Sequence, residues 1–273
     1  MNAIFNTRVL LLTAIMLYAA SGARGELIGL WSFDGNALDS SGKGNHGTLQ
    51  NGAGFSVDTP PLFGGQSLNV AGGTQHVLVP HHTSLDVTGE ITIAAWIKPS
   101  MAGAGWDGIL AKSPSSNGSA ANHAGNYELR VENISRRLTF LYQQGGVNDT
   151  GDAFSVDAVV NSGAWQHVAV TSAAGVATFY VNGAAVGVAD PGTATFGAIN
   201  TNPLYIGSRA DLFTVMDGLM DEVGLWNHAL SPAEIQQLAS GPVIPEPSTL
   251  ALAGLGLVSL WLGSRRPRPH SHC

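Results

Sequence analysis

Cysteine is nearly absent from this chain: there is one among 273 residues, Cys273. A single thiol excludes an internal disulfide framework and a thiolate metal cluster. Charged residues are scarce at 11 %, and aromatic ones make up 7 %. The basic residues are the thinnest set. Between Glu26 and Pro242 there are seven, Lys43, Lys98, Lys112, Arg130, Arg136, Arg137 and Arg209, against eighteen Asp and Glu, a balance of −11. Nucleic-acid binding depends on clustered Lys and Arg that neutralise phosphates, so this balance argues against such a partner. It is compatible with neutral glycans, cations or plain solubility. No apolar run reaches the roughly 20 residues that span a bilayer comfortably. Also missing are a Gly-x-Ser-x-Gly elbow and a phosphate-cradling glycine loop ahead of a helix.

Both ends of the chain carry addresses. Arg8 precedes the apolar stretch Val9 to Ala20, and Ser21, Gly22 and Ala23 follow. That three-part order predicts a secretory signal peptide over residues 1–25, with cleavage after Ala23 or Gly25. At the other end, Pro245-Glu246-Pro247 stands before the uncharged run Ser248 to Gly263, and Arg265, Arg266 and Arg268 close the series. A proline-bracketed acid cannot join a helix or the interior of a sheet, so it stays extended. The arginines favour the cytoplasmic side. Residues 243–273 resemble the PEP-CTERM sorting signal of bacterial exported proteins, the alternative being an ordinary tail anchor. The resemblance implies an exosortase-type partner and an apolar sorting helix held transiently or permanently in the bacterial membrane. It also implies delivery to the cell envelope, cell surface or extracellular matrix, and loss of Cys273 on processing.

The segment between these ends, residues 26–242, reads as one large all-β domain. Thirty-five glycines in the chain punctuate short runs rich in Val, Ile, Thr and aromatics, the spacing of an antiparallel sandwich. In Ile91 to Ile97, residues Ile91, Ile93, Ala95 and Ile97 share one face while Thr92, Ala94 and Trp96 share the other. Both faces are fairly apolar, so a central strand is predicted. Further strands are expected at Leu27 to Phe33, Ser67 to Val70, His76 to Val79, Tyr127 to Val131, Leu138 to Tyr142, Trp165 to Thr171, Ala177 to Val181, Leu204 to Gly207 and Leu219 to Trp226. Asn182-Gly183 suits a type I′ hairpin turn. One short helix is predicted, with Ser231 as N-cap, Pro232 at N1, Glu234 closing a capping box and Gly241 beyond its end.

Four segments then carry a family resemblance: GLWSFDGNALDSSGKGNHGTL, VLVPHHTSLDVTGEITIAAWIKP, WQHVAVTSAAGVATFYVNG and DGLMDEVGLWNHALSPAEIQQL. They resemble, in order, blocks of LamG-like, concanavalin A-type domains. The resemblance implies a two-sheet antiparallel jelly-roll sandwich. It leaves activity open, because this fold hosts lectins, adhesion modules, glycosidases and passive domains alike.

Candidate functional residues follow from chemistry. Trp31, Trp96, Trp165 and Trp226 fall in strand-like runs and are expected to fill the space between the sheets. Trp106 lies in the Gly- and Ala-rich segment Met101 to Gly108, expected to be a loop. There it can stack on a sugar ring or cap the end of the sandwich, and Tyr127 is its companion candidate for ligand binding. Asp34 and the loop from Asp39 to Asn45 offer hard oxygen donors of the kind calcium prefers. The resemblance implies that the first and last strands are neighbours, which could bring Asp34, Asp39 and Asn45 near Asp221 to hold a structural calcium ion. The competing account makes Asp39 the acceptor of an Asx-turn. His81 and His82 point to opposite faces of an extended chain, and His46, His123, His167 and His228 are scattered, which argues against zinc. Jelly-roll glucanases often place catalytic carboxylates as Glu-x-Asp-x-x-Glu on one strand, and this chain lacks that series. Asp217, Asp221 and Glu222 come nearest to it. The expectation is therefore a non-catalytic exported module that binds carbohydrate or mediates adhesion. A purely structural envelope protein is the main alternative, and a polysaccharide-degrading enzyme the weaker one.

Overall fold

Along β6 (Ile91–Pro99), Ile91, Ile93, Ala95 and Ile97 enter the hydrophobic core, and Trp96 and Thr92 fall on the opposite face, as a period of two requires. Two layers are built from strands of this kind in a computed structural model that describes residues 25–102, 105–112, 127–143, 150–189 and 199–241. The chain divides into two compact units, Met1–Pro242 and Val243–Cys273. Every described residue belongs to the first, so the expected signal peptide, the PEP segment, Arg265, Arg266 and His123 lie outside the described residues.

The first layer, sheet A, runs β13 (Ala184–Ala189), β12 (Val176–Val181), β11 (Gln166–Ala173), β6, β15 (Asp217–Trp226), β4 (Ser67–Ala71) and β3 (Gly54–Ser56). The second, sheet B, runs β10 (Thr150–Phe154), β9 (Arg137–Gln143), β8 (Tyr127–Glu132), β7 (Trp106–Lys112), β14 (Leu204–Ile206), β5 (His76–Val79) and β2 (Thr48–Gln50). Neighbouring strands pair antiparallel in both. Val168 and Val170 from sheet A meet Leu129, Val131, Phe140 and Ile206 from sheet B in one apolar core. This is the mostly β, two-sheet architecture that the residue pattern predicts.

β15 ties the beginning of the domain to its end. On one side it follows β6; on the other, Asp217–Met220 pair with β4 and Val223–Trp226 pair with β1 (Leu27–Trp31). The change of partner falls at a bulge between Asp221 and Gly224, where Glu222 takes φ 48°. Bulges kink a strand and re-aim a side chain, and beside this one Asp221 is buried on the covered outer face of sheet A at 1 % exposure. The β12–β13 hairpin turns on Asn182 (φ 51°) and Gly183 (φ 80°), both positive as a type I′ turn demands. Edge exposure is limited on this side, because Val156 N donates to Val186 O and stitches the chain beyond β10 to β13.

The helix α1 (Pro232–Leu238) begins as expected: the Ser231 hydroxyl accepts from Glu234 N, and the Glu234 carboxylate accepts from Ser231 N. Its buried residue is Ile235. The segment ahead of it is pinned to the outer face of sheet A, where Thr92 Oγ1 donates to His228 O and accepts from Leu230 N.

Candidate functional site

The loop after β1 is closed by its own hydrogen bonds. Asp39 Oδ1 accepts from Leu30 N and Ser41 N, and its Oδ2 accepts from Ser41 Oγ and Asn45 N. Asn45 Nδ2 donates to Ile28 O at 2.6 Å, its Oδ1 accepts from Ser84 Oγ, and its carbonyl accepts from Trp31 Nε1. These bonds hold the loop against β1, with Asp39 accepting from Ser41 N as in an Asx-turn. Asp34 and Asp221 are placed differently. Asp34 Oδ1 accepts from Gln66 N. Asp221 Oδ1 accepts from Glu222 N, and its carboxyl is pushed up to about 8 by burial, then by the neighbouring charges of Glu222 and Asp34. Among the described residues no three His, Cys, Asp or Glu side chains gather as a metal cluster.

An internal cation occupies one end of the sandwich. Lys112, the last residue of β7, is 1 % exposed, and its Nζ donates to Asp86 Oδ1 at 3.1 Å, Asn200 O at 2.6 Å and Asn200 Oδ1 at 2.8 Å. A carboxylate, a carbonyl and an amide oxygen are also the donors a hard metal ion would choose; here they surround an ammonium. Burial pulls the Lys112 amine below its ordinary range, and Asp86 opposes the shift.

The outer face of sheet A is covered. In register across it stand His167 on β11, Trp96 on β6 and Asp221 on β15. Trp96 meets Phe63 edge-on at 5.5 Å and His167 at 5.7 Å. Phe63 belongs to the segment 57–66, which is fastened where Asp58 accepts from Lys98 Nζ at 2.6 Å and from Trp165 Nε1 at 2.7 Å. Those two donors hold the Asp58 carboxyl below its ordinary value. Burial holds His167 down to about 4. The expectation that four tryptophans fill the space between the sheets is corrected here. Trp31 does so, whereas Trp96 and Trp226 are buried on the outer face and Trp165 is half-exposed over Asp58. The reason is alternation: Ala95, Ile97 and Leu225 take the inward positions beside them.

Sheet B presents its outer face differently. Trp106 is not in a loop but opens β7, opposite Glu132. Its ring meets Phe213 at 5.3 Å, and the Arg130 guanidinium lies 5.0 Å from its centre. Phe213 is 61 % exposed, and Arg209 flanks it at 5.3 Å. Beneath the rings, Glu128 receives Arg130 Nη1 at 3.5 Å, Arg209 Nη1 at 3.6 Å and Thr214 Oγ1 at 3.2 Å. Arg209 also grips Asp211 through two nitrogens at 2.7 and 2.8 Å. The segment carrying Arg209 to Thr214 lies this close because Gly108 has no side chain: a Cβ there would come within 3.0 Å of Thr214 O. Arg130 Nε and Thr139 Oγ1, opposite each other in the β8–β9 register, are buried without a hydrogen-bond partner. Phe154 continues the row opposite Thr139, with Arg137 at 4.1 Å from its ring.

Tyr127 is a correction. It is fully buried, and its hydroxyl donates to Leu85 O at 3.0 Å, so it cannot stack on a bound sugar. Phe213, Arg130 and Glu128 were not singled out by their residue pattern. The signal that could have found them is an Arg two residues from a Glu on a strand otherwise apolar.

Two antiparallel sheets packed face to face in this order define a concanavalin A-like β-sandwich. The chain belongs to the concanavalin A-like lectin/glucanases superfamily, which residues 71–236 match. Residues 243–266 match the PEP-CTERM protein-sorting motif. That motif marks an exported protein sorted to the cell envelope or surface and implies processing by an exosortase. Among the described residues no helix is long and apolar enough to cross a membrane. No curated protein matches the chain. Solved structures share its fold. Domain 4 of AbnA, a GH43 extracellular arabinanase from Geobacillus stearothermophilus, solved with arabinotriose, superposes with a TM-score of 0.54 at 16 % identity, over 79 % of this chain and 98 % of that one. The binding domain of botulinum neurotoxin serotype G gives 0.61 at 13 % identity, over 79 % of this chain and 51 % of that one. The binding domain of Paraclostridial Mosquitocidal Protein 1 gives 0.58 at 15 %, over 78 % and 52 %. The chain thus spans about half the length of the toxin binding domains.

Proposed function

We propose that this protein is a non-catalytic, exported binding module that holds a polysaccharide on the outer face of sheet B. The observation that carries this reading is the Phe213–Trp106 ring pair set over the Arg130, Glu128 and Arg209 network. Exposed rings stack on the apolar faces of sugars, and Phe213 is the ring that stands into solvent here. The arabinotriose-bound arabinanase domain supports the ligand class by analogy of fold alone. A glycan array with parallel hydrolysis assays tests it. Retention of a glycan, lost in Trp106→Ala and Phe213→Ala with the fold intact, is expected. A clean negative in both assays overturns the reading in favour of a structural envelope role, and release of products overturns it in favour of an enzyme.

Calcium is proposed at a narrower set than the one expected: Asp34 and Asp221, with Glu222 adjacent. What supports it is a buried carboxylate beside two like charges, which a cation would relieve. A thermal melt and calorimetry with calcium and with a chelator decide it, and identical melting under both conditions removes the ion from this site.

A further inference from the structure

The buried amine of Lys112 rests against an amide that it can attack. In register, Lys112 stands between Tyr127 on β8 and Leu204 on β14, and both of these are fully buried. Its Nζ touches Asn200 Oδ1 at 2.8 Å, one covalent bond from Cγ, and Asp86 Oδ1 at 3.1 Å. Asn202 N donates to the same Asn200 oxygen at 3.0 Å. The Asp86 side chain is 10 % exposed, and His81 Nδ1, buried without a hydrogen bond, lies 3.9 Å from its Oδ1.

An amine, an amide carbon and a carboxylate within hydrogen-bond reach are what transamidation needs: a nucleophile, an acyl group and a proton carrier. Out of water an ammonium facing a carboxylate gains by passing a proton across, which leaves a neutral amine and a neutral acid. Burial already pulls the Lys112 amine below its ordinary range. The Asn202 N–H faces the oxygen on which charge collects during attack. We propose that Lys112 and Asn200 join in an intramolecular isopeptide bond, with Asp86 as the proton carrier, clamping β7 to the segment that leads into β14. Asp86 takes one ammonium proton, and the freed Nζ lone pair attacks Asn200 Cγ while the carbonyl pair moves onto Oδ1. Asp86 then gives its proton to Nδ2 and takes a second one from Nζ. As the carbonyl re-forms, the bond from Cγ to Nδ2 breaks. Ammonia leaves with the proton held by Asp86, as ammonium, and nothing is oxidised or reduced. With a single cysteine the chain has no disulfide to offer, and this bond would close a loop between positions 88 apart, which constrains the unfolded state.

Peptide mapping of the purified full-length protein, denatured and digested with trypsin, reads the bond directly. The parent protein should yield a branched peptide joining Lys112 to Asn200, lighter by one ammonia than its two arms together, with no cleavage after Lys112. Asp86→Asn should fold yet release Lys112 and Asn200 in separate linear peptides. Asn200→Ala, in a half-buried connection, keeps the test open if Asp86→Asn does not fold. It should restore cleavage after Lys112, melt at a lower temperature than the parent and migrate more slowly in a denaturing gel. Linear peptides alone from the folded parent protein overturn the proposal. So does a branch that ends on Asp86 with loss of water, or a branch between Lys112 and Asn200 that still forms in Asp86→Asn.

Discussion

The two outer faces of this sandwich are built from similar residues and end up with opposite tasks. On sheet A, Trp96 and His167 lie under the segment 57–66, while Thr92 and Ile235 lie where the chain leading into α1 crosses the sheet. On sheet B, Trp106 and Arg130 meet a single short segment, and Phe213 stands out into solvent. A tryptophan on a covered face is part of the fold's stability. On an open face it is available to a ligand. What differs is the cover, not the residue.

The contrast is most sharply broken by truncation. Trp96→Ala should destabilise the domain by about 3–5 kcal/mol, the usual cost of removing a buried large aromatic. Phe213→Ala should change stability by no more than ~0.5 kcal/mol. Urea unfolding of the two variants checks both values. Equal costs would abolish the distinction between the faces.

Acid should act through the covered face next. Burial keeps His167 near 4, well below the ordinary imidazole value of 6.5, so the unfolded chain takes up its proton first as pH falls. Stability is therefore lost between about pH 6.5 and pH 4, by up to ~3 kcal/mol at the lower end. Asp221 runs the other way. Its carboxyl near 8 keeps a proton that the unfolded chain releases, so its contribution falls as pH rises from about 4 to 8. His167→Phe should flatten the acid limb of melting temperature against pH and leave the Asp221 limb in place.

On the open face the expected loss is in binding. Phe213→Ala should weaken glycan retention about tenfold, ~1.4 kcal/mol, in affinity electrophoresis. Trp96→Phe should leave retention unchanged. A smaller loss belongs to the cover itself: Ser231→Ala removes the capping box of α1 and should cost ~1 kcal/mol of stability without altering retention.

Much of the fold was legible in short stretches. The alternation from Ile91 to Ile97, the Asn182-Gly183 turn and the Ser231 to Glu234 cap each depend on neighbours within a few residues, and each appears as predicted. The Gly and Ala around Trp106 predict a loop, and that weak local β preference yields to pairing with β8. Tyr127 departs from expectation for another reason. Strand period shows that it alternates with Glu128, but not which of the two faces is covered. Lys112 drew no notice, since a lysine is ordinarily solvated; only the approach of Asp86 and Asn200 makes its burial tolerable.

The candidate site was less legible still. Phe213 and Trp106 are 107 positions apart by number, and nothing near either one announces the other. The loop after β1 shows the same limit. Asp39 reads as one oxygen-rich residue among several, and only the folded loop shows that it accepts from Leu30 N, Ser41 Oγ and Asn45 N.

By itself, then, the order of residues determined the strongly alternating strands such as β6, the turn, the helix start and the sorting motif at residues 243–266, because each is set by local sterics or read as linear sequence. Only the tertiary structure decided which tryptophans are buried, which carboxylates lack a partner and which sheet face stays open. Those outcomes depend on cover brought from far along the chain, such as Asp58 to Trp165 and Thr92 to His228, and burial is a property of the neighbours a residue acquires rather than of the residue itself.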